Sequence, residues 1–106
     1  MKYSPWGAIQ STHTLADGAL FVTTAGHGGV KLDRRRNAAI PAPARSAGGW
    51  YEEDCQWAIP AFVHKDIGQA MLATDSAHIL VETLRSWQSS AVLEALARAT
   101  GKGAVA

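Results

Sequence analysis

Apolar and polar residues alternate in the first third of the chain, as they do in a half-buried β-strand. Alternation over residues 8–15 is followed by a β-forming run at residues 19–24, with Asp17-Gly18 between them. Because Asp-Gly accepts the positive φ angles of a type I′ turn, these segments predict a β-hairpin. Residues 30–32 predict a short third strand.

Helical signals follow the predicted strands. Asp33 is a suitable N-cap for a brief helix over residues 34–39, which Pro41 and Pro43 end, and residues 42–49 predict a loop. From residue 51 to residue 64 the apolar side chains recur at helical spacing. Pro60 lacks the N–H that a helix interior uses, so a kink or a stop is expected near it.

Two more helices are predicted before the C-terminus. Thr74 or Asp75 is expected to cap the first, Ser89 or Ser90 the second, and Gly101 to end it. The inward-facing residues are Ala77, Leu80, Leu84 and Trp87 in the first and Val92, Leu93 and Leu96 in the second. Trp57, Leu84 and Trp87 are expected to be buried together, because they are the large apolar groups at matching spacing.

The fold class predicted from these patterns is α+β, a short antiparallel hairpin or meander packed by about three helices. The 106 residues suit one domain, which is β-rich over 8–32, a short helix and loop over 33–49, helical over 50–101 and frayed over 102–106. The hydrophobic fraction of 47% and charged fraction of 18% are globular values.

Cysteine content and the N-terminus predict a cytoplasmic protein. Cys55 is the only cysteine, so no internal disulfide can form, and no apolar run suits a signal peptide or a membrane span. The net charge of +1 divides into +4 for residues 1–50 and −3 for residues 51–106. This division biases the choice of partner only slightly.

The acidic–aromatic segment is the most unusual string in the sequence. Its residues are Trp50, Tyr51, Glu52, Glu53 and Asp54. Acids beside exposed aromatic residues suit contact with a basic protein surface. Acids in the first turn of a helix also complement the helix dipole, and this structural explanation is favoured.

A second group of charged residues suggests phosphate binding. Its members are Lys31, Arg34, Arg35, Arg36 and Arg45. Guanidinium groups match phosphate oxygens well. No aromatic residues are interleaved to stack on bases, so a solvated helix face is the favoured interpretation.

Gly26, His27, Gly28 and Gly29 predict a structural loop. Three glycines around one histidine indicate either backbone conformations closed to other residues or the close approach of another group. The spacing matches neither a dinucleotide-binding loop nor a Walker loop. A turn or bulge is favoured, with His27 as a buried, hydrogen-bonded histidine that fixes the turn.

No catalytic or metal-binding residues are predicted, and no cofactor. Cys55 with His27 or His64 has the residue types of thiol catalysis, but neighbouring acids would raise the pKa of the thiol rather than lower it. Histidines at positions 13, 27, 64 and 78 show no metal-binding spacing such as His-x-x-x-His.

Four sequence blocks carry a resemblance to a known family. They are Ser4-Pro5-Trp6-Gly7, residues 23–29 (TTAGHGG), residues 49–58 (GWYEEDCQWA) and residues 83–87 (TLRSW). Together they resemble an uncharacterised family of small domains from bacteriophages and conjugative mobile elements. The resemblance implies a genomic setting and no particular mechanism.

That setting favours a non-enzymatic binding protein. Small proteins of that setting are often inhibitors, so we expect an inhibitor of a host defence complex, similar to anti-CRISPR proteins, which covers a basic or nucleic-acid-binding surface in the host cytoplasm. Its partner would be a host protein or a protein–nucleic-acid complex. One alternative is a nucleic-acid-binding accessory protein that uses the basic residues of the N-terminal half. The other is a small thiol-dependent enzyme that uses Cys55 and a histidine.

Overall fold

A four-stranded antiparallel sheet forms the N-terminal part of the structure. The computed structural model describes residues 2–72 and 77–101. The sheet contains β3 (Ser11–Ala16), β4 (Ala19–Thr23), β5 (Gly28–Leu32) and β6 (Trp50–Glu52), in that order. A separate two-stranded hairpin consists of β1 (Tyr3–Ser4) and β2 (Gly7–Ala8). The predicted hairpin and third strand are confirmed, while the β1–β2 hairpin was not predicted.

The turn between β3 and β4 contains Asp17 and Gly18, as predicted, but it is not of type I′. Gly18 has a φ of +81°, and no residue other than glycine has a positive φ in the described part of the chain. Asp17 therefore does not adopt the conformation that a type I′ turn requires. The register shifts between Thr14 and Ala16, which leaves Leu15 as an extra residue in β3. A bulge of this kind changes the local twist and allows a different turn.

Short helices complete the fold. They are α1 (Arg34–Ala38), α2 (Ala58–Val63), α3 (Lys65–Met71), α4 (Ala77–Trp87) and α5 (Ser90–Thr100), with a 3₁₀ turn at Ala42–Ala44. The α+β class is therefore confirmed. Three predicted ends are also confirmed: Asp33 caps α1, Ser89 caps α5, and Gly101 ends α5 at a φ of +67°. Thr74 and Asp75, predicted as caps of α4, lie outside the described residues.

The core forms where one face of the sheet meets the helices. Isolated helices of this length are marginal in water, so their stability comes from packing. Large side chains that are fully buried in this core include Val30 and Leu32 from the sheet and Ile67, Leu84 and Leu96 from the helices. Leu80 and Leu93 are also buried, as predicted. Trp87 is 61% exposed, so the prediction that it packs in the core with Trp57 and Leu84 was wrong.

The largest error in the sequence prediction concerns residues 51–64. Trp50–Glu52 is a strand, and Tyr51 pairs with Val30 of β5 rather than starting a helix. The chain then turns before α2 begins at Ala58. Pro60 lies in the first turn of α2, where a missing N–H removes no intrahelical bond. The helix ends at Val63, three residues after Pro60, close to where a stop was expected.

Candidate functional site

The acidic part of the acidic–aromatic segment lies on a turn that backbone hydrogen bonds hold in place. The backbone N–H of Glu53 donates to the carbonyl of Gly28 at 3.0 Å, next to the pairing of Glu52 with Gly29. The carbonyl of Glu52 accepts hydrogen bonds from the N–H groups of Gln56 and Trp57, both at 2.9 Å. Glu53 and Asp54 are exposed. The turn therefore presents two carboxylates to solvent from a fixed backbone.

The aromatic part of the segment does not form a free surface. Tyr51 is fully buried, and its hydroxyl donates to Asn37 Oδ1 and accepts from the N–H of Ser46 at 3.1 Å. Burial raises the pKa of Tyr51. Tyr51 is therefore a core residue, and its assignment to a partner surface was wrong.

Trp50 is half-buried in a small cluster of its own. Its ring meets Trp6 edge to face at a centroid distance of 5.5 Å, and Lys31 Nζ lies 5.2 Å from its centroid. Aromatic and cation–π contacts of this kind hold the indole in place. Trp50 thus links the β1–β2 region to the sheet and retains some exposed surface.

An apolar groove lies beside the two exposed carboxylates. It has a volume of about 350 Å³ and is lined by Phe21, Trp57, Met71, Leu72 and Ile79, together with Glu53 and Asp54. The indole of Trp57 is half-buried, and Ile79 is 41% exposed. Sequence reasoning did not find this groove, because its walls come from β4, α3, α4 and the turn after β6.

The loop around His27 is a tight turn between β4 and β5. The backbone N–H and the hydroxyl of Thr24 both donate to the carbonyl of His27, at 2.8 and 2.9 Å. Thr24 Oγ1 also accepts from the N–H of His27 at 3.1 Å. The histidine backbone therefore closes the turn while its side chain is 54% exposed, so the expectation of a buried imidazole was wrong.

Gly28 and Gly29 belong to β5 and not to the turn. Neither has a positive φ, so the close approach of other groups, rather than a special backbone conformation, explains them. A Cβ on Gly29 would overlap the carbonyl oxygen of Tyr51 and the ring of Trp6. A Cβ on Gly28 would lie 2.8 Å from the carbonyl oxygen of Val22.

His27, Glu52 and Asp54, residue types that serve as metal ligands, lie close together. Their ligand atoms all lie within 4.8 Å of one another, and His27 Nδ1 is 3.7 Å from Glu52 Oε1. No sequence pattern indicates this cluster, because His27 lies 25 residues before Glu52 in the chain. The β5–β6 pairing brings them together.

Two of the predicted phosphate-binding residues, Arg35 and Arg36, form ion pairs within the protein. Arg36 is only 11% exposed in its side chain and forms a bidentate ion pair with Asp66, with N–O distances of 2.7 and 2.6 Å. Its Nε donates to the carbonyl of Asp17 at 2.9 Å. Arg35 lies 3.8 Å from Asp17 in an exposed ion pair. Arg36 is thus a structural residue, and its assignment as a free phosphate ligand was wrong.

Lys31, Arg34 and Arg45 line a cleft of about 330 Å³ on the same side of the molecule as α1. Lys31 donates to the carbonyl of Gly48 at 2.6 Å, and Arg45 Nε donates to the carbonyl of Ile40 at 2.9 Å. These two cations are thus held by the backbone at the cleft. The structure brings together three of the five basic residues.

Cys55 lies in an environment that disfavours the thiolate. Burial raises the pKa of the Cys55 thiol, and the charges of Glu52 and Asp54 raise it further. Thiol catalysis needs a lowered pKa. His64, one of the suggested partners, hydrogen bonds through Nε2 to the carbonyl of Arg36 at 2.9 Å. The absence of catalysis stays a prediction.

The fold and the candidate site define a small α+β protein with an open, acid-rimmed apolar groove. The chain belongs to the family described as Domain of unknown function (DUF7007), which it matches over residues 1–105. Neither the curated proteins nor the solved structures contain a match to this chain. In the described ranges 2–72 and 77–101, no helix has both the length and the apolar character needed to cross a membrane.

Proposed function

We propose that this protein is a non-enzymatic binding protein that docks a basic segment of a partner protein at the acid-rimmed groove. The observation that carries the proposal is the position of two exposed carboxylates, Glu53 and Asp54, on the edge of an apolar groove. Apolar anchors surrounded by complementary charges are the usual composition of a specific interface.

Charge complementarity supports a basic partner. Within residues 2–72 and 78–101, no lysine or arginine forms an ion pair with Glu52, Glu53 or Asp54. The negative potential of the turn is therefore directed to solvent, where it would attract lysine and arginine side chains and speed association. The expected ligand is a segment with a bulky apolar residue flanked by basic residues.

The resemblance to proteins of bacteriophages and conjugative elements supports a finer proposal. Small proteins from such elements often disarm a host system by covering one of its surfaces. A basic surface that binds nucleic acid is the natural target of an acidic binder. On this proposal the protein acts in the host cytoplasm as an inhibitor of a defence complex, in the manner of an anti-CRISPR protein.

The experiment compares two charge reversals in a partner-capture assay. The immobilised parent protein captures its partner from host lysate, and the double variants Glu53→Lys/Asp54→Lys and Arg34→Glu/Arg35→Glu are tested against the identified partner. We expect the acidic variant to lose binding, because removal of one partner of a charge pair desolvated in an interface costs about 2–5 kcal/mol. The arginine variant is the matched control, since it reverses two exposed charges elsewhere.

The ranking of the variants decides the proposal. Thermal melting of both variants must match that of the parent, so that lost binding reports the surface and not unfolding. Unchanged binding by the acidic variant, together with loss in the arginine variant, would refute docking at the groove. Increased salt should weaken binding of the parent, because exposed charges are screened.

A second candidate function is nucleic-acid binding at the basic cleft. The specific observation in its favour is the convergence of Lys31, Arg34 and Arg45 on one cleft. Three cations are a small electrostatic footprint, so the expected affinity for duplex DNA is weak and strongly dependent on salt. Titration of labelled duplex DNA at two salt concentrations tests this function, and Arg34→Glu should abolish binding if the function is correct.

A further inference from the structure

Three metal-ligating side chains meet where the turn between β4 and β5 lies beside the end of β6. We infer that His27, Glu52 and Asp54 bind a divalent transition-metal ion, with zinc as the best fit. The inference goes beyond partner docking, because it concerns a small ligand that is recognised without the partner.

The distances are close to those of a formed site. His27 Nδ1 and Glu52 Oε1 are 3.7 Å apart, and all three ligand atoms lie within 4.8 Å of one another. Ligand atoms about 2.0–2.2 Å from a tetrahedral zinc ion are roughly 3.3 Å apart. The side chains therefore need to close by about 1.5 Å or less, a movement that exposed side chains make by small rotamer changes.

The backbone keeps the three ligands in register without the metal. Hydrogen bonds between Thr24 and His27 fix the histidine turn, and the N–H of Glu53 donates to Gly28 at 3.0 Å between the two carboxylate ligands. Among the described residues no lysine or arginine forms an ion pair with Glu52 or Asp54, so a cation would not have to break one. Binding of a metal ion would therefore order few side chains and would neutralise the two carboxylates of Glu52 and Asp54.

The donor set selects the kind of ion. One imidazole nitrogen with two carboxylates suits zinc and its neighbours in the transition series, whereas magnesium and calcium prefer oxygen ligands alone. Three protein ligands leave one tetrahedral position open for water or for a group from another molecule. The site therefore differs from structural zinc sites, which have four protein ligands, and none of its ligands is a cysteine thiolate.

The test is a titration of untagged protein with zinc chloride, followed by isothermal calorimetry. We expect one ion per chain in the parent. His27→Ala, Glu52→Gln and Asp54→Asn should each weaken binding at least about tenfold, since even the loss of groups that only support ligands has effects of that size. Glu53→Gln is the matched control, because it removes an acid from the same turn but outside the cluster, and His13→Ala controls for an exposed histidine elsewhere.

The outcomes separate this site from other zinc sites. No measurable binding by the folded parent would refute the inference, as would equal weakening in Glu53→Gln or in His13→Ala. Loss of binding in Cys55→Ser with unchanged binding in His27→Ala would assign the metal to the thiol and also refute it. Magnesium should compete poorly. Asp54 belongs to both proposed sites, but the partner is absent from this assay, and His27 and Glu52 are not part of the docking rim, so the zinc result does not depend on partner docking.

Discussion

Replacement of Asp66 by asparagine removes the charged partner of Arg36 with almost no change in side-chain size. The two groups form the bidentate ion pair that ties α1 to α3, and Arg36 extends the tie to the β3–β4 turn through Asp17. The hydrogen bonds from Arg36 are the main reason that the pKa of Asp66 falls from 3.8 to about 2. Asp66→Asn should therefore destabilise the fold at neutral pH.

The fall in the pKa of Asp66 sets an upper limit for the unfolding free energy that Asp66→Asn can remove. A fall from 3.8 to about 2 corresponds to at most about 2.4 kcal/mol of unfolding free energy. The side chain of Asp66 is 52% exposed, so solvent screens the interaction, and about 1 kcal/mol is the expected loss. Since the folded pKa lies below the unfolded value, this stabilisation is present above about pH 4 and disappears as the pH falls toward 2.

Urea denaturation of the parent and the variant at pH 7 and at about pH 2.5 measures this difference. The gap in unfolding free energy should be clear at neutral pH and should shrink at the lower pH. Asp17→Asn is the control, because the Asp17–Arg35 pair is longer, at 3.8 Å, and exposed on both sides. The reasoning fails if the Asp66 gap is the same at both pH values, or if the Asp17 variant loses as much stability.

Three further predictions concern packing and the thiol. Gly29→Ala should lose about 1–3 kcal/mol in urea denaturation because its new methyl group has no space, whereas Gly26→Ala, with nothing within 4 Å, should change by less than about 0.5 kcal/mol. Equal effects would refute the close-approach explanation. Leu84→Ala should cost about 2–5 kcal/mol and Trp87→Ala less than about 0.5 kcal/mol, and a reversed order would contradict the burial described above. Iodoacetamide should modify Cys55 in the folded protein more slowly than it modifies free cysteine near neutral pH, because the pKa of the thiol is raised. Faster modification would favour the thiol-enzyme alternative.

Signals confined to a few neighbouring residues predicted the structure well. Asp17-Gly18 located the hairpin, and the side chains of Asp33 and Ser89 cap their helices by accepting from Arg36 and Val92. These features depend on hydrogen bonds or backbone angles within one turn of chain. Sequence patterns contain that information directly.

Features that depend on distant pairing were not predicted. Trp50–Glu52 is too short to show a strand period, and its acids also suit the start of a helix. What decides the conformation is the exposed edge of β5, to which the segment pairs. The burial of Tyr51 and the ion pair of Arg36 follow from the same long-range packing, and both residues were therefore assigned to surfaces that they do not form.

The candidate metal cluster depends on the same contact that explains Gly29. Because Gly29 has no side chain, the carbonyl of Tyr51 and the ring of Trp6 can lie against β5. That approach lets β6 pair with β5 in the register that places Glu52 opposite Gly29 and brings it beside His27. A larger residue at this position would have to shift β6, and the carboxylates would move with it. Gly29 thus acts on the site through the strand register, although it supplies no ligand atom.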